Sequence, residues 1–227
     1  MTILTNEHPF MADWIARQTR MSSAPEQIRL KYACIPEIHR WASIDAIRET
    51  TTERDLGIAE RFVSHVQNLE TDGEWNWENT TPPKSGKRGM VLTGPPGTGK
   101  TTLAVAAMRE WCRQTSGKKP CKFIEFSTLI ESIKSSFGND NDSVDVVAIA
   151  KHNDFVILDD LGQVRSTEWV QSQYYQLINA LYVNQCNVII TTNINAGEFE
   201  KQLTPAVRSR IGGMCEYIEL LGTDRRL

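Results

Sequence analysis

The chain lacks paired cysteines, any apolar run long enough to cross a membrane, and any excess of basic residues. The five cysteines, Cys34, Cys112, Cys121, Cys186 and Cys215, are scattered and form no Cys-x-x-Cys pair, which excludes a zinc module built on that spacing. An odd, dispersed set suits a reducing cytoplasm, with most of the thiols buried. A membrane span needs about 20 consecutive apolar residues, and no stretch approaches that. The opening Met-Thr-Ile-Leu-Thr-Asn-Glu-His lacks the basic-then-apolar layout of a secretory signal, so the expected location is cytoplasmic. A net charge of −3 leaves any nucleic-acid contact to local basic patches. At 227 residues the chain is long enough for one α/β core with a short appendage.

What is present is decisive. Residues 94–101 read Gly-Pro-Pro-Gly-Thr-Gly-Lys-Thr, between the apolar run Met90-Val91-Leu92 and the helical stretch Leu103-Ala104-Val105-Ala106-Ala107-Met108. Strand, glycine-rich loop and helix in that order make a phosphate-binding loop. Gly94, Gly97 and Gly99 let the backbone curl so that its N–H groups converge on phosphate oxygens, with Pro95, Pro96 and Thr98 completing the loop. The start of the following helix adds its positive end. Lys100 is placed to reach the β- and γ-phosphates, Thr101 to ligate Mg²⁺, and Thr102 continues the cradle. The chain is expected to bind a nucleoside triphosphate.

Two further strand ends supply chemistry. Phe155-Val156-Ile157-Leu158 is an apolar strand ending in Asp159-Asp160, and ligands of parallel sheets sit at the carboxyl ends of strands. Asp159 suits a magnesium ligand acting through water, and Asp160 suits orientation of an attacking water. Val188-Ile189-Ile190-Thr191-Thr192 ends in Asn193, which there would hydrogen-bond a γ-phosphate or the attacking water, or form a turn. Arg208-Ser209-Arg210 closes a short helix and offers a cation to its own nucleotide or a neighbour's, or simply a solvated helix end.

The rest of the chain divides around these motifs. Residues 6–33 read as a helical appendage whose Phe10, Met11, Trp14 and Ile15 share one side, with a second helix starting at Pro25. A loop through Trp41 and Ile44 follows Pro36, then a helix from about Glu53 to Leu69. Residues 71–88, with Trp75, Trp77, Pro82 and Pro83, read as a surface loop, as does the Asn- and Asp-rich stretch 138–145. From 89 on, strands at 89–93, 121–126, 154–159, 187–192 and 215–220 alternate with helices near 100–115, 128–136, 167–184, 196–203 and 205–211. That pattern predicts an α/β fold with a five-stranded parallel sheet flanked by helices.

The combined motifs resemble the AAA+ ATPases, and more narrowly the DnaC/IstB group of helicase loaders and transposition helper ATPases. Ile35-Pro36 with Arg40-Trp41-Ala42-Ser43-Ile44-Asp45 is similar to that group's opening segment. Asp159-Asp160-Leu161-Gly162 with Thr167-Glu168-Trp169 is similar to its Walker B and following helix, and Gly222-Thr223-Asp224-Arg225-Arg226 to its closing motif. The resemblance spans about 34–227 and divides the chain into an appendage, 1–33, and an ATPase core, 34–227. It implies that ATP and Mg²⁺ are the cofactors, Asp160 the catalytic acid, Asn193 the polar sensor, Arg210 the arginine finger of a neighbouring subunit and Arg226 a closing sensor arginine. Arg210 is preferred to Arg208 because Ser209-Arg210-Ile211 fits the family's Ser-Arg-apolar pattern.

The same resemblance implies assembly with further copies on ATP binding, a replicative ring helicase as partner, and single-stranded DNA contacted through Lys134. The Lys118-Lys119-Lys122 cluster is the other candidate for DNA. The pattern departs from the family's in four places, one of them the Trp- and Pro-containing residues 71–88, which lengthen the approach to the first strand. Asp160 stands where most AAA+ motors have Glu, which implies slow, switch-like hydrolysis. Leu181-Tyr182 replaces an Arg-Tyr, and the chain leaves little or no length for a C-terminal helical lid. The leading expectation is a DnaC-like helicase loader; the alternatives are an IstB-like transposition helper and a nucleotide-binding scaffold without turnover.

Overall fold

The computed structural model describes residues 33–50, 87–115, 119–135, 145–165 and 167–221. The readings made above for residues 6–32, for the helix 53–69, for the loop 71–86 with Trp75 and Trp77, for 138–144, and for Lys118 and Arg226 lie outside them. Numbered along the described chain, the helices are α1 (Ile44–Thr50), α2 (Lys100–Gln114), α3 (Phe126–Ser135), α4 (Val146–Lys151), α5 (Glu168–Val183), α6 (Ala196–Gln202) and α7 (Pro205–Met214). The strands are β1 (Gly89–Thr93), β2 (Cys121–Glu125), β3 (Phe155–Asp159), β4 (Asn187–Thr191) and β5 (Cys215–Glu219), and a 3-10 turn covers Glu37–His39.

All five strands run parallel in the order β2-β3-β4-β1-β5. Each core strand is apolar at nearly every position, as a sheet covered on both faces requires, and alternate residues feed opposite layers. Met90, Leu92, Phe155, Ile157 and Ile189 pack with α2 and with Ile35, Ala42, Ile44 and Ile47. Val91, Val156, Leu158, Val188 and Ile190 pack with residues of α3 to α7. The register sets Leu92 beside Thr191 and Ile190 beside Leu158, so β1, β4 and β3 deliver their carboxyl ends to one edge. That edge carries the phosphate loop.

Local signals account for the helix boundaries. Asp145, Thr167, Asn195 and Thr204 accept backbone N–H bonds at the starts of α4, α5, α6 and α7, each cap worth about 1 kcal/mol. Pro205 at the first position of α7 loses no intrahelical bond.

Two elements differ from the sequence reading. Ile44 opens α1 rather than lying in a loop, because Ser43 Oγ accepts the Ala46 N–H at 3.1 Å and so starts a helix there. The short helix α4 escaped the pattern altogether; Asp145, placed in the loop stretch, is its cap. Six residues are too few for a period to emerge, and the cap was the legible signal.

Candidate nucleotide-binding site

The phosphate loop joins β1 to α2 and depends on left-handed backbone. Gly94, Gly97 and Gly99 have φ of 136°, 75° and 92°. At Gly94 a side chain is also excluded sterically, since a Cβ there would collide with the Leu220 carbonyl oxygen after β5. Lys100 begins α2 and is buried; its Nζ donates to the carbonyl oxygens of Gly94 (2.8 Å) and Pro95 (2.7 Å). The Thr98 hydroxyl donates to Pro95 O at 2.9 Å. The loop thus closes around its own ammonium group, at the positive end of a fifteen-residue helix.

Thr101, one residue on, donates its hydroxyl to Asp159 Oδ1 at 2.8 Å. The same carboxylate oxygen accepts the Thr191 hydroxyl at 2.7 Å, and Thr191 Oγ1 in turn accepts the Asp160 N–H at 2.9 Å. One threonine at the end of β4 therefore ties both acids to the sheet. Asp160 has φ of 60°, a left-handed conformation that aspartate tolerates better than most residues. Its Oδ1 accepts the amide N–H groups of Asn193 (2.7 Å) and Gln163 (2.9 Å). The following turn is anchored by Gly162 N–H, which donates to the Tyr174 hydroxyl at 3.2 Å. Burial pushes that phenol up to about 12.

Burial raises the Asp159 carboxyl above its ordinary range, against the lowering effect of the bonds from Thr191 and Thr101 and of nearby His39. Asp160 is raised as well, first by burial and then by the charge of Asp159, while Gln163 and Lys100 oppose the shift. Two adjacent carboxylates with Glu125 close by make an edge that attracts cations. A hydroxyl and a carboxylate oxygen 2.8 Å apart are the hard oxygen donors Mg²⁺ prefers when phosphates and waters complete its shell. Among the described residues no group of three or more His, Cys, Asp and Glu could hold a metal by itself. The donor set fits an ion that arrives with a nucleotide.

Other sequence candidates fall elsewhere. Arg210 lies on α7, where its Nε–H donates to Asn179 Oδ1 at 2.8 Å and the guanidinium lies over the Tyr175 ring. Lys134 is exposed near the end of α3, its Nζ 5.8 Å from the centroid of the Trp169 ring. Lys119 lowers the carboxyl of Asp154, which burial raises, and Lys122 donates to Cys34 Sγ at 2.9 Å, so both have protein neighbours. Sequence reasoning missed Thr191, Gln163 and His39. Thr191 reads in the sequence as the last residue of a buried strand, and nothing local marks its bond to Asp159. His39 Nδ1 lies 3.4 Å from Thr102 Oγ1, because Arg109 of α2 donates to the carbonyls of Arg40 and Ala42 and clamps that segment against the phosphate-loop helix. No local pattern announces such a contact.

A family model for IstB-like ATP-binding proteins matches residues 85–227. The chain belongs to the IstB-like ATP-binding family. Among curated proteins none matches it. The IstB-like chain is similar in fold to the crystal structure of the DnaC helicase loader, at TM-score 0.60 and 24% identity over 82% of this chain and 100% of that one. It is likewise similar to DnaI, at 0.59 and 23% over 84% and 93%, and to AMPPCP-bound DnaA from Aquifex aeolicus, at 0.62 and 16% over 84% and 54%. The fold is that of an AAA+ P-loop protein, as the motifs led us to expect. Among the described residues no helix is long and apolar enough to cross a membrane.

Proposed function

We propose that this IstB-like protein binds ATP with Mg²⁺, hydrolyses it slowly, and serves as a cytoplasmic DnaC-like loader of a replicative ring helicase. The observation that supports it best is the hydrogen-bonded chain Thr101–Asp159–Thr191–Asp160–Asn193 beside the phosphate loop. It joins a metal-binding pair, a water-orienting carboxylate and a polar amide, its Asp160–Thr191 link running through the Asp160 backbone N–H and the others through side chains.

In this reading phosphate oxygens replace the loop carbonyls as partners of the Lys100 ammonium, and the loop N–H groups hold the remaining oxygens. Thr101 and Asp159 hold the ion, which when bound neutralises charge on the β- and γ-phosphates. Asp160 accepts a hydrogen from the attacking water and fixes its direction, while Asn193 and Gln163 keep that carboxylate in place. An aspartate reaches less far than a glutamate, which suits slow turnover. Arg210 is supplied to the nucleotide of the neighbouring copy.

The loader reading draws on the likeness to the DnaC helicase loader along that chain's whole length. The matching family model favours a second reading, an IstB-like transposition helper. Pull-down against the host's replicative helicase and against its transposases separates them: retention of the helicase alone supports the loader, and retention of a transposase alone overturns it. ATP hydrolysis measured with and without single-stranded DNA tests turnover, and no release of phosphate in either condition leaves a nucleotide-binding scaffold.

A further inference from the structure

Arg210 makes three hydrogen bonds and a ring contact within its own subunit. Besides the Nε–H bond to Asn179 Oδ1 at 2.8 Å, Nη2 donates to the Tyr175 hydroxyl at 3.3 Å and Nη1 to the Ala206 carbonyl at 3.0 Å. The guanidinium carbon lies 4.9 Å from the centroid of the Tyr175 ring. Tyr175 and Asn179 are one turn apart on α5 and so share the face turned to α7. The surrounding surface is open and partly apolar: Tyr175 is 40% exposed, Tyr182 48% and Val183 66%. Beside it, the position of a Cβ on Gly212 has nothing within reach, and that on Gly213 meets only Tyr182. Arg208, on the same helix, stands exposed.

We propose that Tyr175 and Asn179 are positioning residues that hold Arg210 as a prepositioned cation for the nucleotide phosphates of a second copy of this chain. This rests on the reading of Arg210 as a finger acting in trans. An arginine side chain has large rotamer freedom, most of which is lost when it grips a phosphoryl group. The clamp moves that loss into folding, so the cation needs little reorganisation when charge develops on the phosphate. The three bonds use one hydrogen each on Nε, Nη1 and Nη2. One N–H remains on each terminal nitrogen for a further acceptor.

The chemistry of the clamp carries the argument further. All three acceptors, an amide, a phenol and a backbone carbonyl, are neutral. An arginine whose role is only to join α5 to α7 would be served better by a carboxylate, which forms the stronger bond. A carboxylate would also cancel the charge the finger has to deliver. Asn179 and the Tyr175 ring fix the group and leave its charge intact.

Turnover at saturating ATP across a range of protein concentrations tests this, with ATP affinity and Tm measured on the same samples. Asn179→Ala and Tyr175→Phe should each lower turnover assayed well below Tm, Asn179→Ala by about tenfold, at unchanged ATP affinity and with Tm lowered by no more than a few degrees. Asn179→Asp should keep or raise Tm and still lose turnover, since it holds the guanidinium but quenches it. Turnover within twofold of the parent in both Asn179→Ala and Tyr175→Phe, beside an inactive Arg210→Ala, overturns the clamp and leaves the finger standing. So does full activity in Asn179→Asp, or a loss in Asn179→Ala that tracks Tm or ATP affinity. Undiminished turnover in Arg210→Ala overturns the finger itself, and the clamp with it.

Discussion

Asn193 at the end of β4 donates its amide to Asp160 Oδ1 at 2.7 Å, joining residues 33 apart in sequence. The residue proposed to sense the γ-phosphate is thus bonded directly to the acid proposed to orient the water. Loss of the amide should therefore release the carboxylate. Asn193→Ala is expected to leave ATP affinity within about threefold of the parent and to lower turnover by on the order of tenfold to a hundredfold. Equal turnover in the two proteins, measured by phosphate release, would remove Asn193 from the mechanism.

Lys100→Ala removes the cation that the phosphate loop encloses. ATP affinity should fall by at least about tenfold, a charge-assisted contact being worth about 1.5–3 kcal/mol. Titration with a fluorescent ATP analogue gives the answer directly, and unchanged affinity rules out the assigned site.

The two acids should separate kinetically. Asp160→Asn keeps Thr101 and Asp159 and should bind Mg²⁺ and ATP while hydrolysing on the order of a hundredfold more slowly. Asp159→Asn should instead raise the Mg²⁺ concentration needed for ATP binding. Magnesium titrations that coincide for the two variants would show that this division of roles is wrong.

Asp159 also sets a pH dependence of stability in the nucleotide-free protein. Burial raises its folded-state pKa, so its contribution to stability is fully present below the unfolded value near 4 and is lost as pH rises through the folded one. Asp159→Asn should then melt above the parent at pH 7–8, with the gap closing toward pH 4. Each kcal/mol recovered is worth about 2–4 °C in a chain of this size. A gap that does not change across that range contradicts the argument.

Arg210 can be tested for action between subunits. Arg210→Ala should bind ATP normally but lose the hydrolysis that rises with protein concentration; an arginine finger is worth about 10³–10⁵ in rate elsewhere. Mixing it with Lys100→Ala should restore part of the activity, because some interfaces then pair an intact nucleotide site with an intact finger. No recovery in mixtures that demonstrably co-assemble excludes a trans finger. Arg208→Ala should show the smaller defect.

The sequence by itself determined the strands, most of the helices and the phosphate loop. Those features are written in short windows: Val156-Ile157-Leu158 is buried on both faces, Pro205 follows its cap Thr204, and Gly94 and Gly99 stand where the backbone turns left-handed. The helix α4, only six residues long, was too short for such a window to reveal, and α1 was legible only through Ser43. Tertiary structure decided how the site is wired. Thr191 meets Asp159 from 32 residues away, Thr101 meets it from 58, Thr102 meets His39 from 63, and Arg210 meets Asn179 from 31. None of these pairs leaves a local trace, because each is created by the order of parallel strands and the packing of helices upon them. Periodicity records which face of an element is buried, and only the assembled sheet fixes what that face meets.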